Sequence, residues 1–250
     1  MWPVRATVGA LGVLLCTWSL DARAYRPFDG TDADVADLHE LELELGPMGY
    51  YGVAGQTHDF VAGGVINFGL LPRLELVLQG FDFVPLDAQS GSNKLLETGL
   101  FVKVVWREGC LQGSGGASFA TETGPLLPTV NGGNGFGAYA GGILSTCFGD
   151  SLVVHWNVEV QLLPQTLDLD LFGGVILEPP VSRYFVRPVA ELFTEHDFGG
   201  VQTYSGLVGG IWQLGTKFSL DAALREALVS AQGGKQAVSE VRAGFSWAIP

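Results

Sequence analysis

The chain has 250 residues, with 13 basic side chains against 26 acidic ones and a formal net charge of −13. That balance argues against nucleic acid as a partner, because a phosphate backbone needs a basic face. Hydrophobic residues make up 47% and charged residues only 16%, yet beyond the N-terminus no stretch reaches the ~20 unbroken apolar residues of a membrane-spanning helix.

Arg5, the apolar run 6–20 and Ala22-Arg23-Ala24 have the layout of a secretory signal peptide, residues 1–24, with the mature chain expected to begin at Tyr25. Cys16 follows Leu15, where a lipoprotein signal carries a small residue. Export leads to an oxidising compartment, so Cys110 and Cys147 of the mature chain are free to pair. Residues 25–38 are polar and acidic around Asp32 and Asp34 and read as an irregular periplasmic lead-in.

From His39 to Gly46 the sequence is HELELELG, with Glu40, Glu42 and Glu44 on one face of an extended segment and Leu41, Leu43 and Leu45 on the other. The same theme recurs to the C-terminus, in segments separated by Gly, Pro, Asn and Asp. Twelve strands are expected, near 39–48, 58–69, 73–83, 95–107, 116–126, 134–146, 151–163, 167–177, 183–194, 201–213, 216–226 and 238–249. The connections after the second, sixth and tenth are short, whereas those after the first, third, fifth, ninth and eleventh are longer and rich in Gly, Asn and Ser. Tyr50, Tyr51, Trp106, Tyr184, Phe193 and Trp247 fall near strand ends, as in the aromatic girdles of a membrane barrel.

A soluble antiparallel sandwich alternates in the same way, its apolar face packed and its polar face in water. Here the apolar face recurs on nearly every segment, the opposite face carries charges of both signs, and the segments have the ~9 to 11 residues a tilted strand needs to cross a bilayer. The expected fold is therefore all-β: one transmembrane antiparallel barrel of about twelve strands, up-and-down, over residues 39–250. A closed barrel leaves no strand edge unpaired in lipid. The polar face assigns to the lumen Glu40, Glu42, Glu44, Glu75, Glu97, Lys103, Arg107, Glu122, His155, Asn157, Glu159, Asp168, Asp170, Arg183, Arg187, Glu191, Asp221, Arg225, Glu240 and Arg242.

No catalytic centre or cofactor site is expected among these residues. His155 has Asn157 and Glu159 on its face, but its strand offers no serine there as the nucleophile that a base must reach. Asp168 with Asp170, and the three glutamates of HELELELG, are spaced to share a cation. Pairing with lumen arginines such as Arg183, Arg187, Arg225 and Arg242 is the favoured reading. Cys110 and Cys147 fall in the connections after the fourth and sixth strands, about two strand spacings or ~10 Å apart. A disulfide needs Cα atoms within roughly 7 Å, so pairing depends on how the loop around Cys110 bends.

The segment Arg26-Pro27-Phe28-Asp29-Gly30-Thr31-Asp32-Ala33-Asp34-Val35, followed by Glu40-Leu41-Glu42-Leu43-Glu44, resembles the mature start of the bacterial outer-membrane transporters named for the meta-pathway of phenol degradation. Thr98 to Lys103 and Val186 to Glu191 look like later stretches of that group. The resemblance implies an outer-membrane location and passage of small solutes, aromatic or hydrophobic ones among them. Its partners would be outer-membrane lipid and the barrel assembly machinery. That machinery commonly reads a terminal aromatic residue, and here Phe245, Trp247 and Ile249 alternate as expected while Pro250 stands last. The expected function is a narrow channel with a mixed-charge lumen, with a plugged structural barrel as the alternative.

Overall fold

The computed structural model describes residues 26–53, 59–60, 63–80, 82–85, 93–96, 98–128, 135–164, 166–180, 185–231 and 234–250. The signal peptide and the lumen candidates Glu97 and Arg183 lie outside the described residues. The strands are β1 (Leu41–Val53), β2 (Asp59–Phe60), β3 (Gly63–Leu71), β4 (Leu74–Gln79), β5 (Asp82–Pro85), β6 (Asn93–Leu96), β7 (Gly99–Arg107), β8 (Ser118–Leu126), β9 (Gly137–Phe148), β10 (Leu152–Leu162), β11 (Leu169–Glu178), β12 (Val186–Asp197), β13 (Val201–Gln213), β14 (Phe218–Ala231) and β15 (Gly234–Ile249).

Twelve of them pair antiparallel with their neighbours in chain order, and β15 pairs back onto β1, closing the sheet into a barrel. Leu41 stands opposite Ile249, so the first and last strand residues meet at one end, called here the proximal end. Of the remaining three, β2 extends the far end of β1, and β5 with β6 forms a hairpin in the distal connection between β4 and β7.

Side chains alternate across this wall. On β10, His155, Asn157 and Glu159 point inward and are buried, while Trp156, Val158 and Val160 are exposed on the outside. Leu192, Val208 and Val241 continue the outer belt on β12, β13 and β15. An apolar surface this continuous is solvated by hydrocarbon.

Several elements differ from the expected pattern. The connections after the ninth and eleventh strands are tight, because β12, β14 and β15 run on past their expected ends. The ninth is a three-residue turn, Phe198-Gly199-Gly200. Strand β1 also continues beyond Met48, through a register shift between Leu45 and Met48 where Gly46-Pro47 sits. Proline has no N–H for the ladder, and a bulge is where a sheet tolerates it. A second irregularity, between Val105 and Arg107, leaves Trp106 exposed and donating its indole N–H to Thr121 Oγ1 at 2.7 Å. It removes Arg107 from the lumen set, since that side chain is exposed at the proximal rim. Phe193 belongs to no outer girdle: it is buried inside, 5.0 Å from the Phe172 ring centroid, with the Arg225 guanidinium 4.7 Å above it.

The largest departure concerns the lead-in. Residues 26–38 lie inside the barrel instead of below it, with Pro27, Gly30, Asp32, Ala33 and Ala36 buried.

Candidate functional site: the barrel lumen

Strand register decides which inward side chains meet. One row of paired residues runs Gly69, Glu75, Lys103, Glu122, Gly141, Glu159, Phe172 and Glu195, crossing from β3 to β12. Every second residue of it is a carboxylate, Glu75, Glu122, Glu159 and Glu195, with Lys103, Gly141 and Phe172 between them. Lys103 Nζ is 3.5 Å from both Glu75 Oε1 and Asp32 Oδ1, and donates to Thr31 Oγ1 at 3.1 Å. A second row, two residues nearer the distal end, begins with Glu42, Asn67, Val77 and Phe101 and resumes as Tyr139, Gln161 and Asp170. Gly124 on β8 lies between Phe101 and Tyr139. A Cβ there would strike the Leu100 carbonyl and the Phe101 backbone, and without one the two rings approach to 4.7 Å.

The lead-in circles the inner wall, held at successive strands. Arg26 lies 3.6 Å from Asp221 on β14, and Arg242 on β15 donates to the Pro27 carbonyl at 2.9 Å. The amides of Asp29 and Gly30 each donate at 2.8 Å to the Glu191 carboxylate on β12. Thr31 exchanges two hydrogen bonds with Asn157 on β10, at 3.0 and 2.9 Å. The Ala33 amide donates to Ser145 Oγ on β9 at 3.0 Å, and the Ala36 amide to Glu75 on β4 at 2.6 Å. Asp37 then passes over Gly69 so closely that a Cβ at that glycine would collide with its carbonyl. A strap of extended backbone needs hydrogen-bond partners along its length, and these polar lumen side chains supply them.

Behind the strap lies a buried series. Ser145 Oγ is 2.7 Å from His155 Nδ1, His155 Nε2 is 3.3 Å from Glu178 Oε1, and Arg187 Nη1 donates to Glu178 Oε2 at 2.9 Å. Sequence reading sought a serine on His155's own strand and missed Ser145, which is its direct register partner on β9. Ser145 and His155 are completely buried, and the hydroxyl already accepts the Ala33 amide, so the series clasps the strap.

Of the basic candidates, Arg225 and Arg242 sit on the β14–β15 wall and are engaged there. Arg225 pairs with Glu240 at 3.2 Å and with Asp29 at 3.5 Å, and Arg242 with Glu240 at 2.7 Å and Asp29 at 3.0 Å. Lys217, which sequence reading did not single out, pairs with Glu40 at 2.8 Å. Glu44 accepts from Asn67 at 3.0 Å, while Glu42 and Asp170, for which arginine pairing was expected, have no hydrogen-bond or ion-pair partner among the described residues. Asp168 is half-buried in the distal connection between β10 and β11.

Between strap and wall remains a cavity of about 930 Å³, lined from Pro72 and Gln112 at the proximal end to Leu163 and Pro164 at the distal end. Twelve carboxylate side chains line it, against two basic ones, Arg26 and Lys103. Val65, Val77, Phe101, Leu126 and Tyr139 form an apolar patch on its wall. At the proximal end, a short 3-10 turn, Cys110–Gln112, folds across to β9. Cys110 and Cys147 are bonded there, with Cα atoms 6.0 Å apart.

No protein-family model and no curated relative matches the chain, so the family resemblance of its opening segment stays an expectation. Solved structures do share the fold. The COG4313 outer membrane channel from Pseudomonas putida F1 superposes with a TM-score of 0.61 at 10% identity, covering 89% of this chain and 100% of that one. The KdgM porin gives 0.52 at 12% identity, covering 84% and 99%.

Proposed function

We propose that this chain is a narrow outer-membrane channel for small solutes, and that its open path favours cations. The observation that carries this reading is the cavity running along the bore with twelve carboxylates and two bases on its wall. Lumen charge of one sign sets selectivity in a pore. Arg225 and Arg242 are consumed by ion pairs on the β14–β15 wall and Arg187 by Glu178, which leaves Arg26 and Lys103 as the bases lining the open path. The fold shared with an outer membrane channel and a porin supports the location and the role. Export by the N-terminal signal and delivery to the barrel assembly machinery complete the reading, and the apolar patch suits solutes with a hydrophobic body.

The test is current across a planar bilayer under a potassium chloride gradient, using protein whose folding is verified by migration that changes on boiling. The expected result is a small conductance with a reversal potential displaced toward that of potassium. A second reading rests on the strap, which occupies part of the bore at each of the strands it touches: a plugged barrel that conducts nothing. Folded protein without current above background would establish that reading and overturn the first.

A further inference from the structure

We infer that the lumen contains a binding site for a small organic cation, a protonated amine on an apolar or aromatic body, with the ammonium against Glu42 and the body over the Phe101–Tyr139 platform. The inference deepens the channel reading by naming a solute class.

One acid of HELELELG, Glu42, has no partner among the described residues. Glu40 has Lys217 and Glu44 has Asn67. Glu42 is only 8% exposed, faces the cavity, and has neither hydrogen bond nor ion pair among the described residues. The charges that bear on it most are those of Glu44, Glu75, Glu40 and Asp32, all carboxylates. A buried charge without a partner is costly, and a bound cation removes that cost.

The surroundings select the kind of cation. Glu42 shares its row with Val77 and Phe101, and the patch of Val65, Val77, Phe101, Leu126 and Tyr139 opens beside it. At the other edge of the patch, two strands beyond Tyr139, Asp170 is 4% exposed and its Oδ1 has no hydrogen-bond partner. Two unpartnered acids thus flank an apolar, aromatic surface within one cavity. No three His, Cys, Asp or Glu side chains among the described residues come together to hold a metal ion. A bare metal ion also leaves the apolar patch unused, whereas an amine with a hydrocarbon body covers both features. Aromatic faces add cation–π attraction to a desolvated ammonium.

The experiment is calorimetric titration of the folded protein in detergent with phenethylammonium, with 2-phenylethanol as the neutral probe of the same shape and 3-phenylpropanoate as the anionic one. The wild-type protein is expected to bind the amine at least about tenfold more tightly than the alcohol, a difference of about 1.4 kcal/mol, and the carboxylate more weakly than either. Glu42→Gln should weaken amine binding about tenfold and leave alcohol binding unchanged. Asp170→Asn provides the second variant should Glu42→Gln not give a heat-modifiable fold, and its expected loss is likewise confined to the amine. Equal binding of amine and alcohol by the wild-type protein, or amine affinity unchanged in folded Glu42→Gln or, where that variant does not fold, in Asp170→Asn, overturns the inference. Titration needs no transport, so the two readings fail separately. Amine binding without bilayer current refutes only the channel, and a conducting protein without amine preference refutes only this site.

Discussion

Lys103 is the residue on which the acidic wall depends. It is 4% exposed and stands between Glu75, Asp32 and, one strand over, Glu122. Removing one partner of a buried ion pair costs ~3 to 5 kcal/mol, because the remaining charge stays buried. The substitution Lys103→Met should therefore lower stability by about 3 kcal/mol, toward the lower end of that range because a lumen admits water. The check is the temperature at which the compact gel band converts to the unfolded one, and an unchanged temperature would show that the carboxylates around it manage without the lysine. At this scale the sequence was informative about which face a residue takes and poor about its partner. His155 is completely buried, but Ser145 and Glu178, its neighbours, belong to other strands, and their meeting depends on register that one strand's sequence does not contain.

Two elements restrict the bore and its rim. The strap of residues 26–38 is tied by backbone amides to Glu191, Ser145 and Glu75, and none of these contacts contributes to the strand ladder. Deleting residues 26–37 from the mature protein should leave a heat-modifiable barrel with a larger single-channel conductance, measured against the full mature chain. Equal conductances would mean that the current does not pass the strap. The Cys110–Cys147 bond joins the β7–β8 connection to the end of β9 across 37 residues of sequence. Closing a loop typically stabilises by ~2 to 4 kcal/mol, so the Cys110→Ser, Cys147→Ser double variant should unfold at a lower temperature than the wild type. Adding reductant to the wild type should reproduce that loss. Sequence reading left this pairing open, because the ~10 Å of two strand spacings exceeds what a disulfide spans. The 3-10 turn that brings Cys110 across has no periodic signature.

For the whole molecule, the closed sheet separates two solvents by one residue of register. Val158 on β10 is 65% exposed on the outside, between the inward Asn157 and Glu159. Val158→Arg places a charge at mid-bilayer and should cost ~2 to 4 kcal/mol, read as reduced recovery of the heat-modifiable form in lipid vesicles. Recovery equal to wild type would show that this face does not meet hydrocarbon. The same separation makes the charge balance of the open path a property of the assembled barrel. Acids from β1, β4, β8, β10 and β11 converge on one cavity, while the arginines of β14 and β15 pair with Glu240 on their own wall and with Asp29 on the strap.

The sequence alone determined the alternation, the number of strands and the faces they bury, because a strand's period of two residues is written locally and lipid penalises every departure from it. The tertiary structure alone decided the course of the strap, the Ser145–His155–Glu178 series and the isolation of Glu42 and Asp170. Each of these depends on side chains from different segments of the chain meeting through strand register or across the bore. An acidic, irregular lead-in reads the same whether water or a ring of carboxylates and hydroxyls satisfies its amides, and only barrel closure puts those groups within reach.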